Sequence, residues 1–425
     1  MHRALPVMLA LVSLSAAIAE EAAPMHLQRT FTLSQNGSTR ATLYAMSNKI
    51  VTIGDKTHIA WLDWLADTKV VTYDHATGEI SEPVLVGSGV DNHAGPAMCA
   101  DPQGYLYVVF GPHHGPFQFA RSARPGDAAE WEKLPDFGYK ATYPSLVCDA
   151  EDTLHITYRG GDVPCRVMYQ RRPAGGEWTE PRELVSASVE SGYTQFGNAL
   201  TVAPDGSLHM AYHIYDVHPE AGKAAGHMMS RDGGETWTLA DGTPLELPVT
   251  RDQAELLVQR ADDLDLRASN VVCDDLSRPY FMSNMYRPEN DILLWSWRED
   301  GWQSRSLRPL VEGIVDFRPS FVQGITCSFA QGRLYLAIVL GTSPSWDNPT
   351  NEVFLLTSDD LGESFAVQQL SETDPALPNW APSLERAVGH NAFDVPMMIW
   401  THGERGRTTS DDTRTEVVLG VLGRD

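Results

Sequence analysis

The chain has 425 residues, with 56 Asp and Glu against 32 Lys and Arg and a net charge of −24. That acidic excess argues against nucleic acid and against an anionic membrane surface as partners. Five cysteines in a chain of this length do not make a disulfide framework, and the odd count leaves at least one thiol free.

In chain order, Met1-His2-Arg3 is a short basic start. An apolar run over 5–14 follows, then Ala17-Ile18-Ala19, which has the small-x-small form of a cleavage site. This predicts a signal peptide over 1–19 and a secreted or periplasmic mature protein. The apolar run is too short to span a bilayer, and no later segment reaches eighteen apolar residues.

Beyond residue 20 one unit recurs: a short strand, a turn rich in Asp, Gly or Asn, then a strand of Leu, aromatic and aliphatic residues. The second strands begin at Thr57, Leu106, Leu154, Leu208, Pro279, Leu334 and Pro396, 48 to 71 residues apart. Seven copies at that spacing suit four-stranded blades, and predict a single all-β seven-bladed β-propeller over 20–425. The innermost strands are expected at 46–53, 97–100, 145–149, 199–203, 270–273, 324–329 and 383–388. Strands near 29–34 and 416–422 should share one blade and close the ring, leaving no exposed sheet edge. The longest interval, between Leu208 and Pro279, predicts an inserted loop or short helix over 250–266. No helix longer than about three turns is expected. Two segments, Ser230-Arg231-Asp232-Gly233-Gly234-Glu235-Thr236-Trp237 and Ser358-Asp359-Asp360-Leu361-Gly362-Glu363-Ser364-Phe365, resemble the Asp-box of sialidase-type repeats. There Asp and Ser satisfy the donors of a hairpin turn. Cys99, Cys148, Cys273 and Cys327 fall on expected inner strands as small buried residues, and Cys165 lies outside the pattern.

The residues suited to chemistry cluster between 91 and 161. Asp91-Asn92-His93 precedes one hairpin and Gly111-Pro112-His113-His114 follows it, so both histidine groups belong to one rim. Histidine is the side chain best suited to proton transfer near neutrality. Tyr143 at the entry to the next unit and Arg159 at its exit fall on the same rim. His213 and Tyr215 occupy the following exit, and Asn284, Tyr286 and Arg287 the one after. Strand alternation puts His155, Thr157 and Arg159 on one face and Leu154, Ile156 and Tyr158 on the other.

With His93 and His113 twenty residues apart and Tyr143 and Arg159 sixteen, these motifs resemble the BNR-4 type propellers, including the ulvan lyases of polysaccharide lyase families 24 and 25. The resemblance implies cleavage of a uronic-acid polysaccharide by β-elimination. In that reading Arg159 and His113 neutralise the uronate carboxylate. Tyr143 serves as base and acid if the arginine lowers its pKa, and His93 is a base from the opposite face of the sugar. Asn92, His114, His213, Tyr215 and Asn284 would bind substrate. The partner would be an anionic polysaccharide or oligosaccharide met by a monomer, with steering local to a few Arg and His. No cofactor is required for this chemistry. Some of these lyases carry a structural zinc held by a histidine soon after the arginine; here the segment reads Gly160-Gly161-Asp162-Val163-Pro164-Cys165. No ligand spacing supports zinc or calcium, including pairings of the cysteines with His155 or His209.

Two alternatives stay open. A propeller glycoside hydrolase of sialidase or rhamnosidase type would want an arginine cluster and a Tyr–Glu pair. Phe317-Arg318-Pro319 resembles part of a sialidase motif but lies late in the chain. A non-catalytic glycan-binding propeller would rest on aromatics such as Trp346 and Trp380.

Overall fold

The computed structural model describes residues 25–162, 164–187, 194–216, 223–251, 255–260, 266–285, 290–315 and 319–424. These form an all-β architecture of antiparallel sheets. Among them the longest helix is the single turn Arg308–Val311. The segment 1–19 lies outside the described residues.

The two ends of the chain meet. Met25–Gly37 pairs antiparallel with Thr415–Arg424, which pairs with Met398–His402, and that with Asn379–Leu384. Ile50–Ile53, Lys56–Asp63, Asp67–Asp74 and Val84–Ser88 follow, joined to the terminal strands through Gly37 opposite Asp63. The 22-residue strand Asp127–Cys148 serves two sets of partners. Its first part pairs with Gly115–Arg124 and its last residues with Leu154–Gly160. It thereby merges the meander Ala97–Ala100, Leu106–Phe110 and Gly115–Arg124 with the meander Leu154–Gly160, Arg166–Arg172 and Arg182–Val185. Three separate four-stranded sheets begin at Thr194–Val202, Leu266–Cys273 and Ser320–Ala330.

The first strands of successive meanders stand side by side. Met98 N–H donates to the Asn48 carbonyl (2.8 Å), Leu200 N–H to Ser145 Oγ (2.9 Å) and Cys327 N–H to Asn270 Oδ1 (3.0 Å). The last set meets the first through Glu385, whose carboxyl accepts from Thr52 N–H (2.7 Å) and Thr52 Oγ (2.9 Å).

The turns explain why the repeats fold alike. Asp101, Asp149 and Asp274 each accept backbone N–H groups two and four residues on, from Gln103 and Tyr105, Glu151 and Thr153, Leu276 and Arg278. The other oxygen takes the side chain six residues on: Tyr107, His155 and Tyr280. A short carboxylate thus does what a further backbone turn would do. Both Asp-box segments show one pattern. Ser230 Oγ and Ser358 Oγ donate to Asp232 and Asp360, accept from Gly234 N–H and Gly362 N–H, and the aspartates accept from Thr236 and Ser364.

Three expectations change. The segment 250–266 contains the strand Leu256–Arg260, which pairs with Lys223–Ser230 as the fourth and outermost strand of its sheet, so backbone groups that a loop would leave to solvent are met by the ladder. The strand expected over 46–53 is shorter, Ile50–Ile53, because Lys49 turns back and its Nζ donates to the carbonyls of Tyr44 (3.0 Å) and Ser47 (2.8 Å). The strand expected over 383–388 ends at Leu384. The chain then crosses between inner strands: the Val388 carbonyl accepts from Cys148 N–H, the Ala387 carbonyl from Thr201 Oγ, and His390 Nε2 meets the Asp149 carbonyl at 2.7 Å. Gly389 permits this crossing, since a Cβ there would lie 1.8 Å from the Cys148 carbonyl oxygen and φ is 119°. All five cysteines are free; Cys99, Cys148, Cys165 and Cys327 are buried, while Cys273 is partly exposed. His155 and His209 are committed to Asp149 and Tyr169 and to Ser207 and His227 respectively.

Glu385 is fully buried, and burial pushes its carboxyl up to about 7. A carboxyl whose folded pKa is raised contributes stability that is present below its unfolded value, about 4.3, and lost as pH rises through 7. Glu385→Gln keeps an acceptor for Thr52 and removes the titration. Urea midpoints measured across that range should decline with pH more steeply in the wild type than in the variant; parallel profiles would contradict this.

Candidate active site

The hairpin 97–110 brings Asp91, His93, His113 and His114 together at its open end. Gly111 makes the exit possible, with φ of 105° and a would-be Cβ only 2.7 Å from Gln118 Nε2. One carboxylate organises the histidines. His93 Nδ1 lies 3.0 Å from Asp91 Oδ1, and His113 Nδ1 lies 2.7 Å from Asp91 Oδ2. The two imidazoles stack with centroids 4.1 Å apart. His93 Nε2 is 2.5 Å from Arg40 Nη1. An arginine can only donate, so Nε2 is the acceptor and the proton of neutral His93 sits on Nδ1, facing Asp91.

Tyr143 and Arg159 adjoin this group. The Arg159 guanidinium lies over the Tyr143 ring at 5.0 Å, and Nη2 donates to His114 Nε2 (3.0 Å). Tyr143 packs 4.7 Å from Tyr44 and 6.1 Å from His93, centroid to centroid. Tyr44 Oη accepts from Arg40 (2.9 Å). His93, His113, Tyr143 and Arg159 therefore form one continuous cluster, with Arg40, Tyr44, Asp91 and His114 as members. Tyr44, His114 and Tyr143 all have positive φ (75°, 63° and 60°). Each left-handed residue costs about 1–2 kcal/mol, and such strain gathers where geometry serves function.

The electrostatics follow from burial. Burial, assisted by the charge of Arg40 and opposed by the Asp91 hydrogen bond, lowers the His93 pKa to about 4. His114 is lowered by burial and then by Arg159. Burial disfavours the Asp91 carboxylate, but the hydrogen bonds from His113 and His93 hold its pKa well below the usual range. The same three residues, Asp91, His93 and His113, place ligand atoms within 4.8 Å of one another and could hold a metal ion.

The remaining predicted residues are placed differently. Asn92 is fully buried and its amide donates to Thr39 Oγ (2.8 Å) and the Thr408 carbonyl (3.0 Å); it ties loops together and offers no surface to a ligand. His213 is buried against Gly197, accepts from Ala268 N–H (3.1 Å) and adjoins Arg267, which sets it among the described residues beside the next sheet rather than with Tyr143 and Arg159. Asn284, opposite Arg267 in the register, is buried with neither amide atom hydrogen-bonded. The Tyr215 side chain and residues 286, 287, 317 and 318 lie outside the described residues. Trp380 is buried with its indole on the Gly403 carbonyl. Asp162, in the segment after Arg159, pairs with Lys140. A cavity of 990 Å³, lined in part by Cys148, Asp149, His155, Asp205, Cys273 and His390, sits at the turn end of the hairpins. That is the opposite end of the strands from His93 and His113, and Asp149 and His155 there are committed to turns.

Residues 56–309 match the profile of the BNR repeat-containing family, and the chain belongs to that family. It is similar to an ulvan lyase of Nonlabens ulvanivorans, 24% identical over 246 residues, covering 47% of this chain and 51% of the relative. It is also similar to the PL25 ulvan lyase of Pseudoalteromonas sp. (strain PLSV), 24% identical over 276 residues, covering 54% and 55%. The chain thus spans about half the length of the curated relatives it matches. Among solved structures, the polysaccharide lyase PL25 ulvan lyase superposes with a TM-score of 0.72 at 16% identity, covering 93% of this chain and 96% of the other. The polysaccharide lyase Uly1 superposes with a TM-score of 0.61 at 12% identity, covering 93% and 99%. This chain shares their fold.

Arg40 at Nε2 and Asp91 at Nδ1 together hold the His93 ring, so Asp91→Asn should loosen it. Nitrogen chemical shifts of His93 in the variant should move away from the Nδ1–H form seen in the wild type. Unchanged shifts would mean that Arg40 alone sets the tautomer.

Proposed function

We propose that this protein is an exported polysaccharide lyase that cleaves a uronic-acid-containing polysaccharide by β-elimination, built as one seven-bladed propeller. The blade count is supported by seven successive groups of four strands, counting the long strand Asp127–Cys148 in two groups and Met25–Gly37 with the last three strands. The observation that carries the activity is the convergence of Arg159, Tyr143 and the Asp91-linked histidines on one rim, in a chain whose curated relatives are ulvan lyases.

A uronate has a weakly acidic C5 proton beside its carboxylate. Arg159 neutralises that carboxylate and His113 adds a further donor, so the enediolate that forms when the proton leaves is stabilised. The C5–H bond breaks to a base, the C4–C5 double bond forms, the C4–O4 bond breaks, and O4 takes a proton. Tyr143 serves as base and then acid, with the Arg159 guanidinium supplying positive charge for its phenolate. His93 enters differently from expectation. Its Nε2 lone pair already accepts from Arg40, so it is a base from the opposite face only when Arg40 swings aside. In the arrangement present it positions Arg40 and packs against His113.

Tyr143→Phe should lower kcat by about 10²–10⁴ while leaving substrate affinity within a few-fold. Turnover is followed through the ultraviolet absorbance of the unsaturated uronate, a product of elimination that hydrolysis does not give. Arg159→Lys should lose about 10²–10³ in rate, because a point charge does not reproduce the planar fork. A wild-type protein that releases reducing ends without the unsaturated chromophore would be a hydrolase. One that binds uronate polymers without cutting them would be a binding module. A Tyr143→Phe variant cleaving at wild-type rate would move the base elsewhere.

A further inference from the structure

The terminal strands carry a second group of cations beside the cluster. The loop 403–412 is stitched onto the segment 38–40: Asp411 Oδ1 accepts from Ser38 Oγ (2.7 Å), Thr39 N–H (3.0 Å) and Thr39 Oγ (3.1 Å). Asn92 N–H donates to the Thr409 carbonyl and its amide to the Thr408 carbonyl. These bonds bring Arg405 toward Arg40. The Arg405 guanidinium lies over the Trp346 ring, 5.0 Å from the ring centre, and Trp346 is set edge-on against Trp380 at 5.2 Å.

Two guanidiniums held near each other and partly out of water need a counter-charge. None is built in. Arg40 spends Nη1 on Tyr44 and His93, both neutral acceptors, and its Nε is buried without a partner. Arg405 has no carboxylate at ion-pairing distance among the described residues, and its Nε is likewise buried and unpartnered. Asp347, whose charge reaches Arg405, spends Oδ1 on the backbone N–H of Arg405 (2.7 Å). Burial, and then the charge of Arg40, lowers the Arg405 pKa below the ordinary guanidinium value. The two groups sense each other's charge.

We propose that Arg40 and Arg405, with Arg405 braced on Trp346, form a second anion subsite separated from Arg159 by Tyr44 and Tyr143. Its ligand is the next anionic group along the sugar chain, a sulfate ester or a second uronate carboxylate. This rests on the reading of the cluster as a site for an anionic polysaccharide. Guanidiniums suit both anions, because the fork of N–H donors matches a pair of oxygens.

The test compares wild type with Arg405→Gln. Calorimetric titration uses a sulfated glucuronate–rhamnose oligosaccharide and its desulfated counterpart, and turnover is read as unsaturated product. The variant should bind the sulfated oligosaccharide about tenfold more weakly, with the turnover defect falling on KM more than on kcat. A loss confined to the sulfated ligand identifies sulfate as the anion; an equal loss on both identifies the carboxylate. Arg405→Lys, which keeps the charge and the loop, should recover only part of the affinity and stands in if the Gln variant melts early. Wild-type affinity of Arg405→Gln for both ligands overturns the subsite, whatever the turnover. A wild type that shows this affinity difference yet makes no unsaturated product overturns the lyase reading and leaves the subsite standing.

Discussion

The pairing of the first strand, Met25–Gly37, with the last, Thr415–Arg424, is the constraint on which the site depends. It closes the chain on itself and fixes the start of segment 38–49, which carries Arg40 and Tyr44, and the base of loop 403–412, which carries Arg405. Without it, Asp91, His93, His113, Tyr143 and Arg159 would still be positioned by their own sheet, since all five sit on or beside one seven-stranded unit. They would lack the floor formed by Tyr44 and the cation that donates to His93 Nε2. Closure is therefore more than removal of exposed edges; it completes a site whose parts come from both ends of the sequence.

The overall charge of −24 opposes an anionic ligand at long range, but screening confines that effect to about a Debye length, ~8 Å at physiological ionic strength. Within that distance the site has its own sign. Arg40, Arg159 and Arg405 bring three cations to the cluster, where the charge of Asp91 is shared between two imidazoles. Beneath them Lys49 and Arg386 are buried and donate to backbone carbonyls of the Tyr44–Ser47 turn, Arg386 to Ala45 (2.6 Å) and Met46 (2.5 Å). Burial lowers both pKa values, Arg386 to about 10. Where they remain charged, they contribute a positive potential in a low-dielectric setting, where it is worth more than in water.

What the sequence revealed and what it concealed divide along contact range. His93, His113, Tyr143 and Arg159 were legible because each is fixed by a local rule: a hairpin returns its ends together, and strand alternation assigns faces. Asp91 stood in the same motif, yet nothing in the order Asp91-Asn92-His93 says that the carboxylate bridges two imidazoles or that Asn92 turns inward to Thr408. Arg40 and Tyr44 were illegible because they reach His93 and Tyr143 from another sheet of the chain, and Arg405 because its loop arrives through contacts distant in sequence, such as Asn92 to Thr408, 316 residues apart. The departure of the chain from its sheet after Leu384 had a local sign in Gly389, but a glycine marks a bend without saying which backbone it must clear.

The strained residues join these strands of argument. Tyr44, His114 and Tyr143 occupy left-handed backbone, a conformation that turns do not need from bulky side chains and that Gly or Asn would adopt more cheaply. Each is overdetermined by neighbours. Lys49 holds the Tyr44 carbonyl, Asn198 the Tyr143 carbonyl (3.1 Å), and Thr142 Oγ accepts from His114 N–H (3.1 Å). The clamping residues Lys49, Thr142 and Asn198 are all fully buried, on inner strands or, for Lys49, immediately before one. Rings fixed in this way have little freedom to relax. Their arrangement is set before any ligand arrives, and the free energy spent on strain is recovered only by a ligand, or a transition state, that fits the arrangement as it stands.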